Sequence, residues 1–174
     1  MGLPVIIALD PSGNFTEGNG TTGICIITEA IYQLKPPKIL VSDIHAGNYK
    51  TAEEYWDEHI IFLNSCLHKH MSIEVVMEGY RLYGHKSDTQ INSTLETPQL
   101  IGVIKYWCYV NKVPLKIQFA TDVKKRWSDS VLEKTGVIEI INRRRKLISS
   151  GQWLNNHKTD ALRHALHYQR YRKP

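Results

Sequence analysis

The hydrophobic pattern of the chain changes at Thr51, and this change limits the fold more than any other feature. Ahead of it, three segments rich in Val, Ile and Leu predict strands at 5–10, 23–28 and 38–45. Gly and Asn residues separate the first two segments and Pro36-Pro37 precedes the third, so we expect two consecutive hairpins. Thr51 and Glu54 match a capping box, and apolar residues then recur every three or four positions to about His70, which predicts a helix.

Strands and helices alternate in the rest of the chain. Apolar runs predict two further strands, at 73–78 and 114–120. Between them, Thr97 as the cap and Pro98 at the first helical position predict a helix over 97–111. The residues after the fifth strand are expected to be helical or looped and to close with a helix near 157–171. This order favours one continuous α/β domain over 1–174.

Composition excludes several classes of protein. The hydrophobic fraction of 42% is ordinary for a globular chain, and no apolar run is long enough to cross a bilayer. The first residues lack a signal-peptide pattern, so we expect a cytoplasmic protein without a membrane partner. Cys25, Cys66 and Cys108 lie in apolar segments and form no CxxC pair, so we expect them to be reduced core residues.

Positive charge is concentrated in the last third of a chain whose formal net charge is +5. The basic clusters are at 124–126, 143–146 and 170–173. Trp and Tyr side chains lie among them, at Trp127, Trp153, Tyr168 and Tyr171. Each cluster alone is more typical of a solvated helix face. Together, and with aromatic residues between them, they favour a nucleic-acid partner.

Three carboxylates stand at the ends of predicted elements. Asp10 and Glu78 each end an apolar strand, and Asp160 lies early in the last helix. Alone, Asp10 is explained as a turn residue, Glu78 as a partner of Arg81, and Asp160 by the helix dipole. Carboxylates at strand ends collect at one edge of a mostly parallel sheet, and their joint occurrence there favours a site for divalent cations. Two such ions can activate water and stabilise a leaving oxygen in phosphodiester hydrolysis.

The last helix adds two histidines to this set. Spacings of three and four residues place His157, Asp160 and His164 on one helix face. His164 is the weaker candidate, because a lone histidine is more often a cap or a surface residue than a ligand. His157 precedes Asp160 by one turn and is a candidate metal ligand or proton carrier.

The chain resembles the RuvC-type Holliday junction resolvases of the ribonuclease H and integrase superfamily over nearly its full length. The resemblance is carried by three segments, Ala8-Leu9-Asp10-Pro11-Ser12, Val75-Val76-Met77-Glu78 and His157-Lys158-Thr159-Asp160-Ala161-Leu162. The segments Thr97-Pro98-Gln99-Leu100-Ile101-Gly102 and Ala120-Thr121-Asp122-Val123-Lys124-Lys125 are also similar to family segments. The resemblance implies a ribonuclease H-like fold with a five-stranded mixed sheet, three antiparallel strands and then parallel strands, flanked by helices.

The resemblance also implies an activity. The chain is expected to be a crossover junction endodeoxyribonuclease of bacterial or phage origin. It would act as a homodimer and make paired nicks in four-way or other branched DNA. Its catalytic and metal positions fall on Asp10, Glu78, His157 and Asp160, with two Mg²⁺ ions, or Mn²⁺ in their place. The third of these positions is Asp in some members and His in others. The helix at 97–111, with Trp107 and Tyr109, is either the dimer interface or core.

DNA contacts are expected from basic and aromatic side chains. The candidates are Tyr80, Arg81, Tyr83, Lys105, Lys124, Lys125, Arg126, Arg143, Arg144, Arg145 and Lys146. Family members often have an aromatic residue three positions after the glutamate, where this chain has Arg81. Either neighbouring tyrosine could contact bases instead.

Three alternatives accompany the resolvase interpretation. A ribonuclease H, or a nuclease for flaps or replication intermediates, would use the same fold on another substrate. Asp10-Pro11-Ser12-Gly13 with a glycine-rich hairpin also resembles a phosphate loop of actin-like ATPases, although those need two related domains. A DNA-binding module that has lost catalysis is the third, and the retained carboxylates weigh against it.

Overall fold

The computed structural model describes residues 4–28, 38–81 and 95–172. The strands of the main sheet are β1 (Val5–Asp10), β2 (Thr21–Thr28), β3 (Lys38–His45), β4 (Ile73–Glu78) and β5 (Leu115–Gln118). The helices are α1 (Ala52–Lys69), α2 (Glu96–Val110), α3 (Ala120–Arg126), α4 (Asp129–Lys134) and α5 (Asn156–Tyr171), with a 3₁₀ turn at Ala46–Asn48. A second sheet contains β6 (Ile138–Ile141), β7 (Arg144–Leu147) and β8 (Trp153–Leu154).

The main sheet is mixed, with the strand order β3-β2-β1-β4-β5. β1 pairs antiparallel with β2, and β2 antiparallel with β3, which confirms the two predicted hairpins. β4 pairs parallel with both β1 and β5. Helix α1 precedes β4 and helix α2 precedes β5, so each helix returns the chain to the end of the sheet where β1 begins. The predicted five-stranded arrangement is therefore confirmed.

Both faces of the central strand β1 are buried. Ile7 and Leu9 belong to the core formed with α1 and α2, whereas Ile6 and Ala8 belong to the core formed with α5 and the second sheet. Burial on both faces explains why β1 is a continuous apolar run, without the alternation of a strand that has one wet face. Its terminal residue Asp10 is therefore drawn into a largely dry environment, 9% exposed.

The two long helices that precede parallel strands begin differently. At α1 the Thr51 hydroxyl accepts from the Glu54 amide at 3.2 Å, which confirms the predicted cap. At α2 the prediction of Thr97 as the cap is wrong. The helix follows Leu95, whose φ is 49°, and the Thr97 hydroxyl instead accepts from the Gly13 amide at 2.9 Å. Thr97 therefore ties the loop after β1 to the first turn of α2.

The segment between β5 and the last helix departs from the prediction of helix or loop. It contains α3 and α4, and then the antiparallel sheet β6-β7-β8. Its strands are four, four and two residues long, too short for a clear alternation of apolar and polar residues. The β6–β7 turn has positive φ at Asn142 and Arg143. The second of these positions is usually glycine in such a turn, and because it is arginine here, the sequence did not predict the turn.

Two expectations from composition are testable here. Cys25, Cys66 and Cys108 are buried and unpaired, which confirms the expectation of reduced core residues. Across the described ranges, each helix falls short of the length and apolarity that a membrane span requires.

Candidate metal centre

Two carboxylates end neighbouring parallel strands. Leu9 of β1 is paired with Met77 of β4, so Asp10 and Glu78 are the next positions on the two strands. Parallel strands bring their carboxyl ends to one edge of the sheet, and the site predicted there has its first two members side by side.

The start of α5 lies directly over this edge, because β2 has a glycine opposite Asp10. Gly23 is the strand partner of Asp10, and a Cβ built on Gly23 would overlap the backbone carbonyl group of His157. The missing side chain lets the first turn of α5 rest on the sheet. His157 Nδ1 consequently donates to Asp10 Oδ2 at 2.8 Å.

Asp10 and His157 share an electrostatic environment with the other two predicted site residues. Burial raises the pKa of the Asp10 carboxyl, the hydrogen bond from His157 opposes that rise, and the charges of Glu78 and Asp160 add to it. The hydrogen bond to Asp10 raises the pKa of His157, against the effect of its burial, and Asp160 and Glu78 reinforce the rise. Glu78 and Asp160 are thus close enough to act on the charge of both Asp10 and His157.

Asp160 is held by two basic side chains. Lys124 of α3 approaches Asp160 Oδ2 at 2.7 Å, and Arg163, one turn along α5, donates to Asp160 Oδ1 at 2.6 Å. Burial lowers the pKa of Lys124, but the hydrogen bond to Asp160 and the charges of Asp160, Glu78 and Asp10 outweigh it and raise the pKa overall. Lys124 is therefore an internal counter-ion of the carboxylate cluster.

Glu78 is held by the histidine that sequence reasoning ranked lowest. His164 is 1% exposed, and its Nε2 donates to Glu78 Oε2 at 2.9 Å. Its Nδ1 lies 2.8 Å from Gln118 Oε1, at the end of β5. Because both ring nitrogens have partners, His164 fixes the orientation of the carboxylate and is a positioning residue.

The carboxylates are paired with basic groups and not with one another. Among the residues that the structure describes, no three His, Cys, Asp or Glu side chains are already gathered into a metal-binding group. His157 pairs with Asp10, His164 with Glu78, and Lys124 and Arg163 with Asp160.

A buried polar network supports the turn that follows Asp10. The Tyr55 hydroxyl donates to the Ser12 carbonyl at 2.8 Å, and the Thr22 hydroxyl lies 2.8 Å from His59 Nε2. Burial lowers the pKa of His59 to about 4, so its ring is neutral near pH 7 and Nε2 accepts from Thr22. The sequence analysis did not single out these residues, because His59 fits the pattern of the amphipathic helix α1 like its neighbours.

Asp43 of β3 anchors the start of α5. Asn155 caps the helix by accepting from the Lys158 amide at 2.8 Å, and its side-chain nitrogen donates to Asp43 of β3 at 2.7 Å. Lys158 Nζ approaches the same Asp43 oxygen at 3.0 Å. An asparagine before a helix is a visible capping signal, but nothing in the sequence connects it to Asp43, which is 112 positions away.

Solved structures share this arrangement of strands and helices. RuvC of T. thermophilus, in complex with a Holliday junction substrate, aligns with a TM-score of 0.67 at 17% identity, over 97% of this chain and 94% of that one. Another structure of Thermus thermophilus RuvC aligns with a TM-score of 0.64 at 15% identity, over 95% of each chain. No protein-family model matches the sequence, and no curated protein does.

The chain has the fold of RuvC. The alignment extends over almost the whole of both chains, so the predicted ribonuclease H-like fold is confirmed. At 17% identity the match establishes the fold alone.

The aromatic residues that sequence reasoning assigned to a partner divide into two groups within the RuvC fold. Trp107 is 6% exposed and donates to Asn64 at 2.9 Å, and Trp127 is 8% exposed, so both belong to the core. On α2, the predicted Tyr109 is 81% exposed, and Tyr106, which the sequence did not single out, is 70% exposed. Trp107 therefore belongs to the core, whereas Tyr106 and Tyr109 are accessible to a partner.

The basic candidates for DNA contact also occupy different settings. Arg145 Nε donates to both carboxylate oxygens of Asp129 at 2.9 Å, and Arg126 donates to the Tyr171 hydroxyl at 3.4 Å. Arg81 lies over the Phe119 ring, 3.5 Å from its centroid, and Tyr80 is half-buried beside it. The exposed candidates are Lys105, Lys124, Lys125, Arg126, Arg143 and Arg144, and Lys146 is half-buried. Tyr83 lies outside the described residues.

Proposed function

We propose that this protein is a metal-dependent endonuclease that resolves four-way DNA junctions by paired nicking. The observation that carries the proposal is that Asp10 and Glu78 end neighbouring parallel strands of a RuvC-fold sheet, with His157 hydrogen-bonded to Asp10 and Asp160 near enough for its charge to act on both. The RuvC structure that aligns over 97% of the chain is a complex with a Holliday junction substrate, which supports this choice of substrate.

The donor chemistry of the cluster fits Mg²⁺, with Mn²⁺ as the alternative. Asp10, Glu78 and Asp160 offer carboxylate oxygens, the ligands that these hard cations prefer, and His157 offers an imidazole. Such a site would hold two ions, which supply an activated water and charge stabilisation for the leaving oxygen. Asp10 is buried at a raised pKa, a state in which a bound cation would favour its ionised form.

The protein's own side chains have distinct tasks in this scheme. His164 keeps Glu78 oriented through its Nε2, and Gln118 holds the other side of the His164 ring. His157 can carry a proton at Nδ1 or hand it to Asp10, to which it is hydrogen-bonded. Lys124 is close enough to all three carboxylates to offset their charge and to approach a phosphate entering the cluster.

Two nicks across a two-fold symmetric junction require two sites, so the proposal includes a homodimer. The outward face of α2 is the proposed interface. Its exposed Tyr106, Tyr109 and Val110 are large side chains that a second copy could cover. Lys105 on the same face would then lie near the two-fold axis and next to DNA.

The proposal is tested by incubating the protein with Mg²⁺ and a labelled synthetic four-way junction. Paired nicks near the crossover are expected, with little cleavage of linear duplex, a flap or an RNA–DNA hybrid of matched length. Cleavage of the hybrid in preference to the junction would indicate a ribonuclease H and would overturn the resolvase proposal. Omission of the metal should abolish cleavage, since the carboxylates alone supply no activated water.

Replacing His164 with phenylalanine is expected to weaken metal binding while the protein stays folded. Glu78 would lose its donor, and loss of an outer partner typically costs about 10- to 100-fold in metal affinity or activity. The measurement is the Mg²⁺ concentration that gives half-maximal junction cleavage, with thermal unfolding as the check on folding.

The control is His164→Gln, which keeps a side-chain donor near Glu78 and should retain more activity than the phenylalanine variant. Unchanged Mg²⁺ dependence in a folded His164→Phe protein would show that Glu78 does not depend on this hydrogen bond.

A further inference from the structure

The second sheet presents two different faces. Leu147 and Leu154 point into the core, and Arg145 shares their face and pairs with Asp129. The alternation of a strand places Arg144 and Lys146 of β7 on the opposite, outer face. The basic run at 143–146 is therefore not one surface, because its third residue is used inside the fold.

The outer face combines cations with one aromatic side chain. Trp153 of β8 is the strand partner of Lys146 and is 40% exposed. The Arg144 guanidinium lies 4.6 Å from the centroid of the Trp153 ring, and the Lys146 ammonium lies 6.0 Å from it. Contact with the ring restrains the two flexible cations in place.

The charge of this face is largely uncompensated. Within the described ranges, Arg143, Arg144 and Lys146 form no ion pairs, unlike Arg145. Glu139 stands opposite Lys146 on β6 and is the acidic residue on the same face. The outer face thus carries two positive charges against one negative charge, and Arg143 adds a third positive charge in the adjoining β6–β7 turn.

The outer face borders the candidate metal centre. β8 ends at Leu154, and the chain enters α5 directly, so Trp153 precedes His157 by four residues. Arg145 of β7 donates to the Asn156 side chain at 3.0 Å, which fixes the second sheet against the first turn of α5. A duplex arm that leaves Asp10 and His157 toward the second sheet would pass this face.

We infer that Arg144 and Lys146, which contact Trp153 on the outer face of β6-β7-β8, together with Arg143 of the adjoining β6–β7 turn, bind phosphates of the DNA duplex that flanks the scissile bond. This inference rests on the proposed nuclease function and adds a duplex-arm contact to it. Phosphate contacts of this kind position DNA without reading its sequence. The second sheet therefore sets how an arm lies relative to the metal centre.

The test is binding of a fluorescent four-way junction by the full chain in EDTA, over a series of KCl concentrations. The variant carries Arg144→Gln and Lys146→Gln, and its control carries Lys38→Gln and Lys69→Gln. Lys38 and Lys69 are exposed and line a cavity far from the Asp10 end of the main sheet. Each double variant removes two positive charges, so the two variants have the same net charge.

The outer-face variant should bind the junction about 10- to 100-fold more weakly at moderate salt, and the slope of log K against log salt should fall by about 2. The control should stay within about twofold of the wild type, since phosphate contacts and not net charge set the slope. A variant with Arg144→Lys and Lys146→Arg keeps both charges and should keep the slope, which separates charge from misfolding.

Junction binding by the Arg144→Gln, Lys146→Gln protein that equals the wild type in affinity and slope would overturn the inference. An equal loss in the control pair would also overturn it, because the effect would then come from net charge. Wild-type junction cleavage, measured alongside, keeps the two hypotheses apart. If the wild type cleaves and the variant binds normally, only the duplex-arm contact fails. If the wild type neither binds nor cleaves the junction, the nuclease proposal fails with it.

Discussion

Asp10→Asn should abolish metal-dependent cleavage of a four-way junction and leave junction binding nearly unchanged. Loss of an outer partner alone costs about 10- to 100-fold at metal sites, so loss of a ligand should lower the cleavage rate by more than about 100-fold. The proposed phosphate contacts come from other residues, so binding in EDTA should stay within about threefold of the wild type. The measurements are Mg²⁺-dependent cleavage and binding of the same labelled junction.

Folding and function can be separated in this variant. Burial raises the pKa of Asp10, which means that the folded chain favours the protonated carboxyl and that ionisation at neutral pH costs folding free energy. Asparagine has the same shape and no charge to ionise. The melting temperature in EDTA should therefore not fall, and a rise would agree with the direction of the pKa shift.

The matched control is Asp57→Asn on the exposed surface of α1, which should cleave and bind as the wild type does. Equal losses of cleavage and binding in Asp10→Asn, together with a lower melting temperature, would assign Asp10 a structural role. That outcome would remove the basis for a metal site at this edge of the sheet.

The site residues that could be predicted from the sequence are those that lie in short, local hydrophobic patterns. Asp10 and Glu78 end strand-length apolar runs that predicted buried strands, and His157 and Asp160 share one face of an amphipathic helix. Each pattern spans fewer than about ten residues, so it is visible without knowledge of the tertiary fold. The mixed sheet followed from the same patterns, since hairpins pair antiparallel and strands joined through a helix pair parallel.

The remaining parts depend on pairings between distant segments. Asp43 meets Asn155, and Asp129 meets Arg163 and Arg145, only after the sheets and helices are packed. The division of the 143–146 run also needed β7, because a basic run read as one surface conceals the alternation of a strand. The secondary-structure propensities of the residues do not indicate which basic side chain pairs with which carboxylate. These ion pairs could therefore not be predicted from the sequence.

Gly23 illustrates this limit and leads to a prediction of its own. In the sequence it is one of 11 glycines, within a strand where glycine is usually unfavourable. In the fold it is the residue opposite Asp10, and the His157 backbone occupies the space where a side chain would be. The metal centre therefore depends on the absence of a side chain on the strand beside it.

Gly23→Ala should push the first turn of α5 off the sheet. Overpacking of a dense core typically costs about 1–3 kcal/mol, so the free energy of unfolding in urea should fall by that amount. His157 and Asp160 would move with the turn, and a misplacement of about 1 Å can cost about 100-fold in rate, so junction cleavage should fall by a similar factor.

Gly47→Ala is the control for this substitution, at the same edge of the sheet. A Cβ at Gly47 would make only an ordinary contact, 3.5 Å from the Gly18 carbonyl, and Gly47 is not among the glycines with positive φ. Alanine there should leave cleavage unchanged and raise stability by about 0.4–1 kcal/mol, because it restricts the unfolded chain.

Normal cleavage by Gly23→Ala would mean that α5 can shift without disturbing the cluster, and that the close approach of His157 to Asp10 is not what the chemistry requires. Since both changes add one methyl group to a glycine, a difference between them measures the contact with α5 and not the loss of glycine.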